Sequence, residues 1–260
     1  MPVTYSSYLK LDELLALQRP LSEGPEHDET LFIVIHQVYE LWFKEILHEL
    51  DFLQQELLRP DAPRALATLK RVLTILKVVV AQIDVLETMT PLDFLSFRAR
   101  LESGSGFQSL QFREIEFALG RKSPQALDRY PAGSEHRARL ERRLVAPTVW
   151  DAFLRFLVGA GYDVPAEALE RDVRSSIEAV AALHPVLIQV YRKDPLVGSV
   201  CERLVDLDEG LMEWRYRHLK MVQRTIGAKP GTGGSSGAAY LETTLNAPLF
   251  PDLWAIRSEL

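Results

Sequence analysis

Apolar residues recur along this chain at steps of three and four, and no run alternates apolar with polar β-branched residues. Leu31, Phe32, Ile35, Tyr39, Trp42, Phe43, Ile46, Leu50 and Leu53 make one stripe, widened by Ile33, Val34 and Val38. So wide a stripe predicts a long helix over 29–57, buried on most sides and ended by Pro60 and Pro63. A second stripe, from Leu66 and Leu69 through Leu76 and Val80 to Leu86, predicts a helix over 65–89 that Thr90-Pro91 stops. Their short connection makes the two antiparallel neighbours. Two short helices then flank Ser-Gly-Ser-Gly at 103–106. Residues 121–146, polar and arginine-rich, read as an exposed connector with one short helix. Helices follow over 147–158, over 166–191 with a break near Pro185, and over 196–226. Residues 241–260 read as a tail with a final turn around Trp254. Residues 1–28 read as an arm with a short helix over 11–18, packing on its own domain or on a neighbouring subunit. The expected fold is all-α: a helical bundle of long antiparallel helices, with a single domain over 29–260.

The chain has 260 residues, nearly half of them hydrophobic, so a sizeable core is expected. Thirty basic against 36 acidic residues give a net charge of −6, which argues against nucleic acid or an anionic membrane as the main partner. Cys201 is the one cysteine, so no internal disulfide forms and a reducing cytoplasm is the natural setting. The opening residues lack the basic and apolar regions of a signal peptide, and no apolar run is long enough to span a bilayer.

Candidate chemistry gathers on the last long helix. His218 sits on its apolar face, sharing it with Leu211, Trp214, Met221 and Val222. Gly227 offers a cap and Pro230 blocks continuation, and four glycines follow between 231 and 237. Such a loop brings backbone amides and small hydroxyls close to a ligand, although it lacks the ending of a phosphate-binding loop. A single histidine on an apolar face is more often a satisfied core residue than a ligand. With no nearby cysteine or acidic co-ligand this one cannot hold zinc, which takes three or four protein ligands. It can serve haem iron, to which the porphyrin already gives four. His36 lies one turn after Phe32 and carries the same two readings. Arg98 shares a face with Phe94, and is either a stacked surface residue or a bidentate partner for a carboxylate.

Several long motifs, in order, resemble those of the tryptophan 2,3-dioxygenase family. They are Tyr5-Ser-Ser-Tyr-Leu-Lys-Leu-Asp-Glu-Leu-Leu15, the run from His27 through His36-Gln-Val-Tyr-Glu-Leu-Trp42, Glu87-Thr-Met-Thr-Pro-Leu-Asp-Phe94 with Phe97-Arg98, Ser105-Gly-Phe-Gln-Ser-Leu-Gln-Phe-Arg-Glu-Ile-Glu116, Trp214-Arg-Tyr-Arg-His218 and Lys229-Pro-Gly-Thr-Gly-Gly. Together they cover nearly the whole chain. The resemblance implies haem b, one per subunit and ferrous when active, in a pocket within the bundle. It implies cleavage of the indole pyrrole ring of L-tryptophan by O2 to N-formylkynurenine in a cytoplasmic homotetramer. It implies His218 as axial iron ligand, His36 beside the substrate's indole, Arg98 on its carboxylate, Thr232 on its ammonium and carboxylate, Phe32 and Phe94 as walls, and Ser105 near the haem edge. Tyr5 and Tyr8 match an arm that reaches a neighbouring subunit's site. Val38-Tyr39 and Pro230 depart from the expected pattern, and at Phe94 a tyrosine hydroxyl found in some members is missing.

These residue types suit that chemistry. Activation of O2 falls to the cofactor. A zwitterion on a flat apolar ring asks for one cation, hydroxyl or backbone acceptors, and aromatic walls. The same fold and haem acting on another aromatic amino acid or an indole derivative is one alternative. A haem-binding sensor with no turnover is another.

Overall fold

The computed structural model describes residues 2–231 and 238–260. All regular structure among them is helical, as the periodicity predicts. The arm carries α1 (Tyr5–Leu9) and α2 (Leu11–Leu14). The long helices α3 (His27–Leu58) and α4 (Ala62–Leu86) form an antiparallel pair, and the short α5 (Pro91–Arg98) and α6 (Leu110–Ala118) follow. Next come α7 (Glu135–Val145), α8 (Val149–Gly159), α9 (Ala166–Leu169) and α10 (His184–Lys193). The chain closes with α11 (Pro195–Ile226), α12 (Ala238–Glu242) and α13 (Pro251–Ala255). With 32 residues each, α3 and α11 are rods about 48 Å long.

The central element is α4, which packs extensively on both α3 and α11. Its stripe of Leu69, Val72, Leu76, Val79 and Ile83 is buried against Leu50 and Leu53 of α3 and Val200 and Leu204 of α11. Asp61 caps its N-terminus, accepting from the Arg64 amide at 3.0 Å. On the far side of α3 lies α8, started by a capping box between Thr148 and Asp151.

The segment expected to be an exposed connector is a second small core. Ala126, Leu127, Tyr130, Leu140 and Leu144 pack with Leu110 and Phe117 of α6. Its arginines reach carboxylates on other elements: Arg139 bonds Glu114 at 2.6 Å, and Arg143 forks onto Asp51. Lys122 is buried and donates to the carbonyls of Leu144, at 2.9 Å, and Ala146, ending α7.

The expected helix over 166–191 is also corrected. Only 166–169 and 184–193 are α-helical, and Pro185 stands in the first turn of α10, where it starts a helix instead of breaking one. Tertiary hydrogen bonds hold the stretch between in irregular form: Ile177 N donates to Gly120 O at 3.1 Å, and Val180 N to buried Asp252 at 2.7 Å.

The expected tail belongs to the core, with Phe250, Leu253 and Ile256 fully buried. One oxygen of Asp208 on α11 accepts from Leu249 N at 2.8 Å, Phe250 N at 3.2 Å and the Trp254 indole at 2.9 Å. The arm is tied down only near its base. Leu21 N and Ser22 N donate to the Glu29 carboxylate at 2.6 and 3.0 Å, and Gln37 donates to Leu17 O at 3.3 Å. Beyond that the arm stands off the bundle, with Tyr5 77% and Tyr8 76% exposed.

Candidate active site

One end of the bundle, where α3, α4, α5 and α11 converge, encloses a two-lobed cavity. Both lobes are walled by His36, Leu86, Gly106, Phe107, His218, Met221 and Leu241, so they adjoin. Each encloses about 910 Å³ of space, its open mouth included, within the ~300–1,000 Å³ of ordinary ligand sites. Phe32, Met89, Phe94, Arg98 and Ser105 line the first lobe; Tyr39, Phe43, Phe112, Arg113, Trp214 and Arg215 line the second.

On α3, one helical turn separates Phe32 from His36, and their rings lie 4.1 Å apart. The His36 Nδ1 sits 2.7 Å from the Phe32 carbonyl. A carbonyl only accepts, so Nδ1 carries the proton and Nε2 keeps its lone pair. Burial lowers the His36 pKa below the usual histidine range, against the opposing pull of the Phe32 carbonyl and the Glu40 charge. The ring is therefore neutral at pH 7, with one nitrogen committed and one acceptor to spare. Phe32 also meets Phe94 at 5.8 Å and Phe97 at 5.5 Å, which fixes that wall.

Arg98 ends α5, a helix set by a capping box between Thr90 and Asp93 with Pro91 in its first turn. One turn from Phe94, its guanidinium lines the first lobe and donates to Pro230 O at 2.6 Å. It makes no ion pair among the described residues. A half-buried cation with donors to spare is thus presented to the cavity. The Ser105 hydroxyl accepts from Phe107 N at 3.4 Å, holding the 103–108 turn against the lobe.

His218 faces the cavity from α11, and what surface it exposes is cavity wall. Burial and the nearby His36 push its pKa down to about 4, so it too is neutral at pH 7. Its Nδ1 is buried and has no hydrogen-bond partner among the described residues. The Trp214 indole, one turn earlier, lies nearly parallel to the imidazole, 9° between planes and 5.1 Å between centroids.

The second lobe ends in charge. The Glu116 carboxylate is met by Arg113, by Arg215 at 3.2 Å and more loosely by Arg121 at 4.0 Å. Three guanidinium groups meet one carboxylate, and Arg113 Nε is buried without a partner among the described residues. Burial lowers the Arg215 pKa, yet a guanidinium stays charged. Glu40 also lines this lobe, so its charged wall holds two arginines, Arg113 and Arg215, and two glutamates.

The structure brings Phe32, His36, Phe94, Arg98, Ser105 and His218 to one cavity. Tyr5 and Tyr8 line neither lobe, and Thr232 lies outside the described residues. Sequence reasoning passed over Leu86, Met89, Thr225 and the Arg113–Glu116–Arg215 cluster. Thr225, at His218 +7, continues the stripe already recognised, and Arg215 breaks the buried stripe of Leu211 and Leu219; both signals were present.

The sequence profile of the tryptophan 2,3-dioxygenase family matches residues 1–142 and 150–260. The tryptophan 2,3-dioxygenase of Herpetosiphon aurantiacus is 62% identical over 258 residues, 99% of this chain and 98% of its own. That of Anaeromyxobacter sp. strain K is 59% identical over 260 residues, 99% and 96% of the two chains. That of Bacillus thuringiensis strain Al Hakam is 42% identical over 261 residues, 99% and 93%. Matches of this extent take in every element that walls the cavity, and they settle the lineage: this chain belongs to the tryptophan 2,3-dioxygenase family.

Proposed function

We propose that this chain is a haem-dependent dioxygenase that inserts both atoms of O2 into the indole pyrrole ring of L-tryptophan and releases N-formylkynurenine, opening tryptophan catabolism by the kynurenine pathway. Family membership supports the reaction. The single observation that carries the reading is the pairing of two neutral imidazoles with one unpaired arginine on the walls of one apolar cavity.

The residues fit haem b. Among the described residues no group of three histidine, cysteine or carboxylate side chains could hold a bare ion; a single imidazole would suffice for haem iron, to which the porphyrin gives four ligands. His218 offers that imidazole: neutral, cavity-facing and with Nδ1 sealed off, it leaves Nε2 for iron. Apolar walls would suit a macrocycle, and the guanidinium groups of Arg113 and Arg215 would offer donors to its carboxylates. When bound and ferrous, haem supplies the binding and activation of O2 that no side chain here offers.

The chain's own residues bind and orient the substrate. Arg98 takes the carboxylate as a charge-assisted pair. The indole N–H is only a donor, and His36 Nε2 is a ready acceptor because Nδ1–H is held on the Phe32 carbonyl. His36 orients the ring without removing this very weakly acidic proton. Phe32, Phe94, Leu86 and Met89 exclude water around the ring. Ser105 and Thr232 serve the polar end of the substrate. Tyr5 and Tyr8, exposed on the isolated chain, complete a neighbouring subunit's site in a cytoplasmic homotetramer.

The test is anaerobic reduction of the purified protein followed by O2 and L-tryptophan, with haem bands and N-formylkynurenine absorbance read together for the parent and for His218→Ala and His36→Ala. The parent should show both signals, His218→Ala should be purified nearly free of haem, and His36→Ala should keep it. Full haem and normal turnover in His218→Ala would overturn the axial assignment. A haem-loaded parent that turns over no tryptophan would overturn the reaction.

A further inference from the structure

His36 and His218 both stand within long helices one turn after an aromatic residue, and they are held in opposite ways. The ring of His36 is tied to the carbonyl one turn back, Nδ1 to Phe32 O at 2.7 Å, and is tilted 38° to the Phe32 ring. The ring of His218 has no acceptor on Nδ1 among the described residues. Instead it lies flat on the indole one turn back, at 9°. A ligating histidine is usually oriented by a carbonyl, carboxylate or water on its second nitrogen, which also raises its basicity. Among the described residues no protein group performs that task.

We infer that Trp214 is the positioning residue of the haem ligand, its ring taking over the orienting task of the missing hydrogen bond. The inference rests on the reading of His218 as axial ligand. Trp214 is itself fixed from three sides. Phe43 meets it edge-on at 6.3 Å and 84°, Tyr39 at 6.5 Å and 71°, and Phe112 at 4.8 Å and 40°. Tyr39 and Phe43 are buried residues of α3, and the Tyr39 hydroxyl is anchored on Val79 O of α4 at 3.1 Å. The plane of the imidazole is thus referred, through one indole, to the packing of α3, α4 and α6. A ring free to turn about its χ2 torsion would present its lone pair over a range of azimuths; a stacked one presents a single direction. Without an acceptor on Nδ1, His218 acts as a plain neutral imidazole, a weaker donor than a hydrogen-bonded one.

The experiment compares full-length haem-loaded parent with Trp214→Phe, which keeps a ring, and with Trp214→Leu and Trp214→Met, two apolar fillers that cannot stack. Two quantities are read: the iron–histidine stretching band of the ferrous protein by resonance Raman, and the rate of haem transfer to excess apomyoglobin. An aromatic contact of this kind contributes on a scale that speeds haem release roughly two- to tenfold when lost. Either filler variant should show that acceleration and a broadened or shifted band, and Trp214→Phe should stay near the parent in both. A parent-like band and release rate in a filler variant would overturn the role of Trp214. So would equal damage in all three variants, since that measures volume and not stacking. His218→Ala separates the layers: persistence of the band there overturns the axial reading itself, whereas its loss together with parent-like filler variants overturns only the inference about Trp214.

Discussion

Replacing Arg98 by alanine removes the only cation among the described residues that line the first lobe. In the structure its guanidinium gives one donor to Pro230 O at 2.6 Å and pairs with no carboxylate among the described residues. A substrate carboxylate therefore displaces no internal counter-ion, and the gain is not reduced by breaking a pre-existing pair. A charge-assisted pair in a part-buried site is worth about 2–4 kcal/mol. Arg98→Ala should then weaken L-tryptophan roughly 30- to 1,000-fold, with haem content intact because the proposed iron ligand is His218, on a different helix. Arg98→Lys should fall between, keeping the charge and losing the fork. The assay is spectral titration of the haem-loaded protein with L-tryptophan and with tryptamine, which lacks the carboxylate. Tryptamine should distinguish parent from variant little. Equal tryptophan affinity in parent and Arg98→Ala, or an equal loss for both ligands, would refute the reasoning.

Three further outcomes are expected. Burial holds the His36 pKa below the usual histidine value, so tryptophan affinity should be level at pH 7 and fall only as pH drops below about 6.5, where protonation removes the acceptor; His36→Ala should flatten this dependence and keep reduced but measurable turnover, and 1-methyltryptophan should be insensitive in both proteins. Deleting residues 1–9, which include the exposed Tyr5 and Tyr8, should lower activity and loosen the tetramer together by sedimentation; an active monomer would contradict both halves. Gly120 has φ +98 and a Cβ there would lie 2.0 Å from Ile177 Cδ1, so Gly120→Ala should destabilise by about 2–4 kcal/mol and lower the melting temperature by several degrees; an unchanged melting curve would show that the turn can relax.

The helices with strong, long periodicity were legible in the sequence, because many stripe positions agree and capping residues stand at the ends. The expected spans over 29–57, 65–89 and 196–226 fall within about one turn of the observed α3, α4 and α11. Local pattern failed where distant partners decide. The arginines of 121–146 look solvated until Glu114 and Asp51 arrive from α6 and α3. Residues 170–180 have helix-compatible composition, but their conformation is set by Gly120, Asp151 and Asp252. The site divides the same way. His36, Arg98 and His218 stand inside long motifs and share faces with aromatic residues, so they could be picked out. The cluster of Arg113, Glu116 and Arg215 was legible only in part: Arg215 interrupts an apolar stripe, but Glu116 and Arg215 are 99 residues apart and nothing local marks them as partners.

The central place of α4 has a consequence for how the pocket can change. His36 rides on α3 and His218 on α11, and each rod is seated on α4 far more than on the other. The two histidines are thus gauged by a helix whose cavity residues, Ile83 and Leu86, are hydrocarbon only. Leu86 borders both lobes and acts as a shim between them. Trimming or enlarging it alters the room shared by the lobes and leaves every polar group on its own backbone. A lineage, or an engineer, can therefore shift the range of rings admitted through the girth of α4 while the donors and acceptors of the site stay in register.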